Sequence, residues 1–262
     1  MLLHLSDLHF GTERPECIRA IQKFCAVHKP EVVVVSGDLT QRAKFKEFYA
    51  CKQFLESLNI PYFVVPGNHD IPLYHVWNRA FRPFGLYQLF FGSLEHSLFT
   101  EHFYLIGMNS IRRRYHTRGH ISFEQIQNVN QLLAKAPKNK LKIIVSHQPF
   151  YTSNEDHHLK DCPALGQFAI KEWGQHQLYA LLHGHLHLVA VYDLNQAFAL
   201  NLKQPVYEVH AGTAVSRRLH KNIPNSFNVI HQDGGFEHYF FDEQLQEFIA
   251  KTAVKNSELD MI

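Results

Sequence analysis

The stretch EVVVVSGDL, residues 31–39, constrains the fold more than any other: it is an unbroken apolar run that breaks at Ser-Gly-Asp. A half-exposed strand alternates apolar and polar residues, so a continuous run predicts a strand covered on both faces. Two more short apolar runs, Met1–Ser6 and Pro61–Val65, lie on either side of it in the chain. The segments between them have helical periodicity. Ile18, Ile21, Phe24, Cys25 and Val27 mark the first, and Lys44–Leu58 forms the second. The order β-α-β-α-β predicts right-handed crossover units in an α/β sheet.

The rest of the chain is less regular. Residues 71–95 are aromatic-rich and predict partial helix, with FRPFGLYQLFF (81–91) read as core or as a dimer surface. LFTEHFYLIGMN (98–109) predicts a hairpin, Glu124–Leu133 a helix and KLKIIVSH (140–147) a strand. Beyond LYALLHGHLH, short strands are expected at Leu188–Leu194, Val206–His210, Asn225–Gln232 and Phe236–Asp242. No Pro/Gly/Ser-rich linker or internal repeat divides the chain. The expectation is one domain over residues 1–250, built from two packed sheets flanked by helices. Residues 251–262 are expected to fray.

Composition excludes several classes. With 45% hydrophobic and 19% charged residues the chain can bury a core and is not disordered, and a net charge of +2 is no nucleic-acid signature. The 4 cysteines form no CxxC pair, which argues against a disulfide framework or a structural zinc site and suits a reducing compartment. No signal segment precedes the first strand, so the expected location is the cytoplasm. No apolar stretch approaches the ~20 residues of a membrane helix. The outstanding bias is 20 histidines, which turns attention to metal ligands.

The chemistry-bearing residues sit where predicted strands end. SDLH (Asp7, His9) follows the first strand, SGDL (Asp38) the second and GNHD (Asn68, His69, Asp70) the third. VSHQP (His147) and HGHLH (His185, His187) follow later ones. Ligands of α/β sheets bind beyond the carboxyl ends of strands. Asp7/His9 and His185/His187 are i, i+2 pairs, whose side chains share a face if the backbone is extended. A lone DxH or HxH is more often polar punctuation than a ligand. All five blocks, in order and at strand ends, predict a mixed N/O metal site.

These blocks resemble the calcineurin-like metallophosphoesterase family, with its ordered D-x-H, G-D, G-N-H-D/E, H and G-H-x-H. The resemblance spans Asp7 to His187, about two-thirds of the chain. It implies a four-layer α/β/β/α sandwich of two mixed sheets flanked by helices, with a dinuclear centre at the sheet ends. By that match Asp7, His9 and His187 bind one divalent ion, Asn68, His147 and His185 bind the other, and Asp38 bridges them. Mixed carboxylate, amide and imidazole ligands without thiolates suit Mn, Fe or Zn alike, and the resemblance implies Mn or an iron-containing pair. Only Asp7 and Asp38 among the seven are anionic, so the loaded site attracts a phosphate. His69 is expected to face the leaving oxygen, with Asp70 orienting and charging it.

The substrate is less legible. HLSDLHFG with PGNHD looks like the bacterial branch similar to class III cyclic-nucleotide phosphodiesterases, which favours a nucleotide diester such as 3′,5′-cyclic AMP. Other diesters, monoesters, lipid or nucleic acid remain open, as does an inactive scaffold. Lipid A precursor pyrophosphatases usually carry Arg where His69 stands. In the basic stretches RRRYHTRGH (112–120) and AGTAVSRRLHKN (211–222), Arg112, Arg114, Tyr115 and Arg217 are candidate substrate contacts.

Overall fold

The computed structural model describes residues 1–73, 76–115, 117–221, 223–252 and 257–258. The elements are β1 (Leu2–Leu5), α1 (Pro15–His28), β2 (Val32–Val35), α2 (Phe45–Ser57), β3 (Tyr62–Val64), α3 (Val76–Phe81), α4 (Gly85–Phe91), β4 (His96–Phe99) and β5 (Phe103–Gly107). They continue as α5 (Phe123–Lys135), β6 (Leu141–Val145), α6 (Glu155–Asp161), α7 (Gly166–Gly174), β7 (Leu178–His183), β8 (Ala190–Asp193), α8 (Leu194–Ala197) and β9 (Tyr207–His210). The last are β10 (Ser226–Ile230), β11 (Phe236–Asp242), β12 (Glu247–Thr252) and β13 (Ser257–Glu258).

Two mixed sheets result. The first runs β12-β11-β10-β1-β2-β3 and the second β13-β8-β9-β7-β6-β5-β4. In the first, β1, β2 and β3 are parallel, as the alternating first half predicts, while β10 pairs antiparallel with β1. In the second, β5, β6, β7 and β9 are parallel. Parallel neighbours align their carboxyl ends, which is why the loops after β1, β2, β3, β6 and β7 can meet.

Packing makes the layers. Val32, Val34 and Phe63 of the first sheet meet Leu105, Ile143 and Leu182 of the second in a shared interior. The other face of β2 carries Val33 and Val35 into a cluster with Ile21, Phe48 and Tyr87 of α1, α2 and α4. The outer face of the second sheet packs Ile144 and Leu181 against Ile126 of α5 and Trp173 of α7. The architecture is the four-layer α/β/β/α sandwich. The valine run of β2 is thus apolar throughout because helices cover one face and a sheet the other.

Several local expectations change. The 81–91 segment borders the core: Tyr87 is buried and its hydroxyl donates to the Val64 carbonyl at 3.0 Å, Phe84, Leu86, Phe90 and Phe91 pack partly buried against the core, and Phe81 and Leu89 face outwards. Helices α6 and α7 were not anticipated. An Asn154 cap, whose Oδ1 accepts the His157 amide at 3.1 Å, starts α6 within what reads as a polar loop. The expected frayed tail is partly paired, since Lys251 lies in β12 and Ser257–Glu258 pair with β8. Residues 253–256 and 259–262 of that tail lie outside the described residues. Among the described residues no helix is long and apolar enough to cross a membrane.

Candidate metal centre

All five strand-end blocks converge. His187 Nε2 lies 3.2 Å from Asp7 Oδ1 and 3.4 Å from His9 Nε2. Asn68 Oδ1 lies 2.9 Å from His147 Nε2 and 3.1 Å from His185 Nδ1. Asp38 stands between the two groups: Oδ2 is 3.6 Å from His9 Nε2 and Oδ1 is 3.4 Å from His147 Nε2.

The convergence does not come from extended backbone. Asp7 (φ 51°), His9 (φ 43°), Asp38 (φ 51°), His185 (φ 66°) and His187 (φ 55°) are all left-handed. This conformation costs roughly 1–2 kcal/mol per residue without glycine, and such strain persists where the surroundings over-determine it. The i, i+2 pairs therefore meet because their turns fold back, and the strand-alternation argument for them is replaced. Glycine is needed beside these turns. A Cβ on Gly184 would overlap Ser6 Oγ and Asp7 Oδ2, and one on Gly67 would overlap the backbone and carboxylate of Asp38.

The imidazoles are oriented from outside. His147 Nδ1 donates to the Ser36 carbonyl at 2.9 Å, and His187 Nδ1 to the Arg218 carbonyl at 2.7 Å. His185 Nε2 donates to Asp161 Oδ1 at 3.2 Å. In each ring the remaining nitrogen points inward, the arrangement metal-ligating histidines show. His9 Nδ1 and Asp7 Oδ1 are buried without a hydrogen-bond partner. Burial works to raise the Asp7 and Asp38 carboxyls, but His187 beside Asp7 and His147 beside Asp38 hold both well below the usual range. Burial likewise disfavours charge on His147, yet Asp38 raises it to about 9. A divalent cation would balance the same carboxylates from the same atoms, so the residues fit a pair of ions.

His69 lies at the edge of the cluster, with its ring 4.8 Å from that of His9. Its Nδ1 donates to the Gln41 carbonyl at 3.0 Å, and Nε2 is 3.1 Å from Arg218 Nη1. Asp70 does not orient this imidazole. Its carboxylate accepts the amides of Gly67 (2.8 Å), Leu39 (3.1 Å) and Thr40 (2.9 Å), and the Thr40 hydroxyl (2.8 Å). Asp70 therefore ties the loop after β2 to the loop after β3, since four donors already occupy it.

The basic stretches divide. Arg112 is committed to structure: its guanidinium donates to the carbonyls of Asn109 and Ile111, each at 3.0 Å, and to Gln125 Oε1 at 2.6 Å. Arg114 is exposed and lines neither cavity at His69. Tyr115 lines a narrow slot of about 60 Å³ beside His69. Arg217 lines an open basin of about 590 Å³ that contains Asp38, His185 and His187, together with Lys160 and Arg218. Arg218 and Asp161 were missed from sequence. The Arg-Arg pair was the signal for Arg218, but only the backbone direction selects which arginine reaches His69. Asp161 carried no signal.

A family model for calcineurin-like phosphoesterase matches residues 1–189, so the chain belongs to that family. It is 27% identical over 185 residues to a protein named probable glycerophosphodiester phosphodiesterase GpdQ of Arcobacter nitrofigilis, covering 69% of this chain and 65% of that one. It is 24% identical over 161 residues to the 3′,5′-cyclic adenosine monophosphate phosphodiesterase CpdA of Haemophilus influenzae, covering 60% and 54%. The matched stretches thus fall short of two-thirds of these relatives' lengths. Among solved structures, a dimetal phosphatase from Danio rerio superposes with a TM-score of 0.58 at 12% identity, covering 97% of this chain and 98% of that one.

Proposed function

We propose that the chain is a dinuclear metal-dependent phosphodiesterase. In this reading Asp7, His9 and His187 would hold one divalent ion, Asn68, His147 and His185 would hold the other, and Asp38 would serve both. The observation that carries this reading is the Asp38 carboxylate, whose two oxygens face two separate donor groups. The N/O donors suit Mn, Fe or Zn, and we favour Mn or Fe on the family resemblance. When bound, such ions supply an activated water and positive charge for phosphate oxygens.

The chain's own residues do the rest. Asn68 contributes an amide oxygen rather than a third carboxylate, which leaves the site attractive to an anion. Arg218 holds a phosphate oxygen from the basin side, next to His69, and Arg217 and Lys160 add positive charge to the wall. Because His69 Nδ1–H is held by Gln41, Nε2 is the atom that meets the leaving oxygen, and with the ring doubly protonated it passes its Nε2 proton to that oxygen. Unpaired, buried Cys17, Cys25, Cys51 and Cys162 support action in the cytoplasm.

The substrate we favour is a nucleotide diester such as 3′,5′-cyclic AMP. The exposed Tyr115 ring at the slot beside His69 offers a stacking surface, and a relative named for that substrate supports it. A glycerophosphodiester is the second reading, favoured by the relative named GpdQ. The experiment is a panel on Mn²⁺-reconstituted protein: bis-p-nitrophenyl phosphate, p-nitrophenyl phosphate, 3′,5′-cyclic AMP, 2′,3′-cyclic AMP and glycerophosphoethanolamine. A kcat/KM for 3′,5′-cyclic AMP far above the artificial diester is expected. Preference for the glycerol ester would move the assignment to the second reading, and no turnover at full metal load would refute the enzyme.

A further inference from the structure

Behind the candidate centre lies a second set of donors that the proposed reaction does not use. β7 ends in His183, whose register partner on β9 is His210, and the two rings are 4.0 Å apart. Glu208, two residues earlier on β9, shares that face. All three are 0% exposed. His183 Nε2 lies 2.6 Å and His210 Nε2 3.9 Å from the same oxygen, Glu208 Oε1. That oxygen also accepts the amides of Phe150 (2.7 Å) and Tyr151 (3.0 Å), in the loop that carries His147.

The hydrogen bonding around these groups does not close. Both ring nitrogens of His183, both of His210, and Glu208 Oε2 are buried without a hydrogen-bond partner. The 2.6 Å approach of His183 Nε2 to Glu208 Oε1 is the one short polar contact within the trio. A buried polar atom left unpaired costs about 1–3 kcal/mol, and these poorly satisfied groups crowd into one spot. A single divalent cation takes lone pairs from two imidazoles and a carboxylate, a donor set that holds zinc. Ligands about 2.0–2.2 Å from one ion lie at most about 4.4 Å apart. The donor atoms of this trio already lie within 4.8 Å of one another, so a small side-chain shift closes the geometry.

We propose that His183, Glu208 and His210 hold a third divalent cation, of zinc type, sealed from solvent. Its role is structural: buried from solvent, it meets no substrate. It ties β7 and β9 to the Phe150–Tyr151 loop and thereby steadies His147. The competing arrangement is a proton shared between Glu208 and His183, with no metal.

Crystals of the full chain grown with Zn²⁺ as the sole added divalent metal decide between them by anomalous density at the zinc edge. A peak about 2.1 Å from His183 Nε2, His210 Nε2 and a Glu208 oxygen is expected. No density there overturns the proposal and leaves the shared proton. Density is read separately at Asp38, so the third site stands or falls by its own peak. In solution, zinc bound per chain after desalting should fall by one equivalent in His210→Ala while the circular dichroism is kept. Equal counts in variant and wild type would also overturn it. If the variant fails to fold, the wild-type map still decides.

Discussion

His185 is held between Asn68 and Asp161: Nδ1 stands 3.1 Å from the Asn68 amide oxygen, and Nε2 donates to the Asp161 carboxylate at 3.2 Å. Asp161 also accepts His157 Nδ1 at 2.9 Å, so one carboxylate fixes the ring and fastens the end of α6 over the basin. Outer partners of this kind change metal affinity about 10–100-fold when removed. Asp161→Ala should therefore weaken one of two ions by that factor, and Asp161→Asn by less. Metal titrations followed by isothermal calorimetry test this, and an unchanged second binding constant in Asp161→Ala would sink the assignment.

His69 and Arg218 share one place through the 3.1 Å approach of Nε2 and Nη1, yet they act on different charges. His69→Ala should reduce turnover of an alkoxide-leaving diester by about 10²–10⁴, and of a nitrophenolate-leaving one much less. Arg218→Ala should lower kcat/KM for both substrates alike, by about 10². Arg112→Lys, away from the site, should leave both rates unchanged and lower thermal stability. Equal losses on the two leaving groups in His69→Ala would remove its acid role.

Gly184 has no room for a methyl group, because a Cβ there would overlap Ser6 Oγ and Asp7 Oδ2. Gly184→Ala should push Asp7 from its position and cost about 1–3 kcal/mol of stability. The expected readout is loss of bound metal at unchanged secondary structure. A variant with full metal content would contradict the close packing.

His238 gives the protein an acid sensitivity of its own. It is buried, with Nδ1 2.6 Å from Asn228 Oδ1, and burial pushes its pKa from 6.5 down to about 4. Below 6.5 the unfolded chain binds a proton that folded His238 refuses until pH 4 is reached. Stability therefore falls as pH drops through that window, by up to roughly 1.4 kcal/mol per pH unit for this residue. His238→Gln should lose less stability than wild type between pH 6.5 and 5.5 in urea titrations. Parallel losses would show that His238 is not responsible.

The first half of the fold was legible because valine-rich strands and amphipathic helices alternate with periods that differ. α6 and α7 were not, since their residues are polar or glycine-flanked and become helical by capping and by packing against the second sheet. Asp70 illustrates the limit at the site. Its place next to His69 suggested an orienting carboxylate, yet the turn directs it to the amides of Leu39 and Thr40.

The sequence by itself determined the donors and their order, because covalent connectivity fixes which residue types follow each strand. That was enough to point to the family and to the six residues gathered around Asp38. Tertiary structure decided everything that depends on direction. It chose which nitrogen of each histidine faces inward, which arginine reaches His69, and that Arg112 is spent on backbone carbonyls. It also brought His9 and His187, 178 residues apart, to within 3.4 Å. The physical reason is that left-handed turns and long-range hydrogen bonds set side-chain direction, and neither leaves a mark in residue spacing.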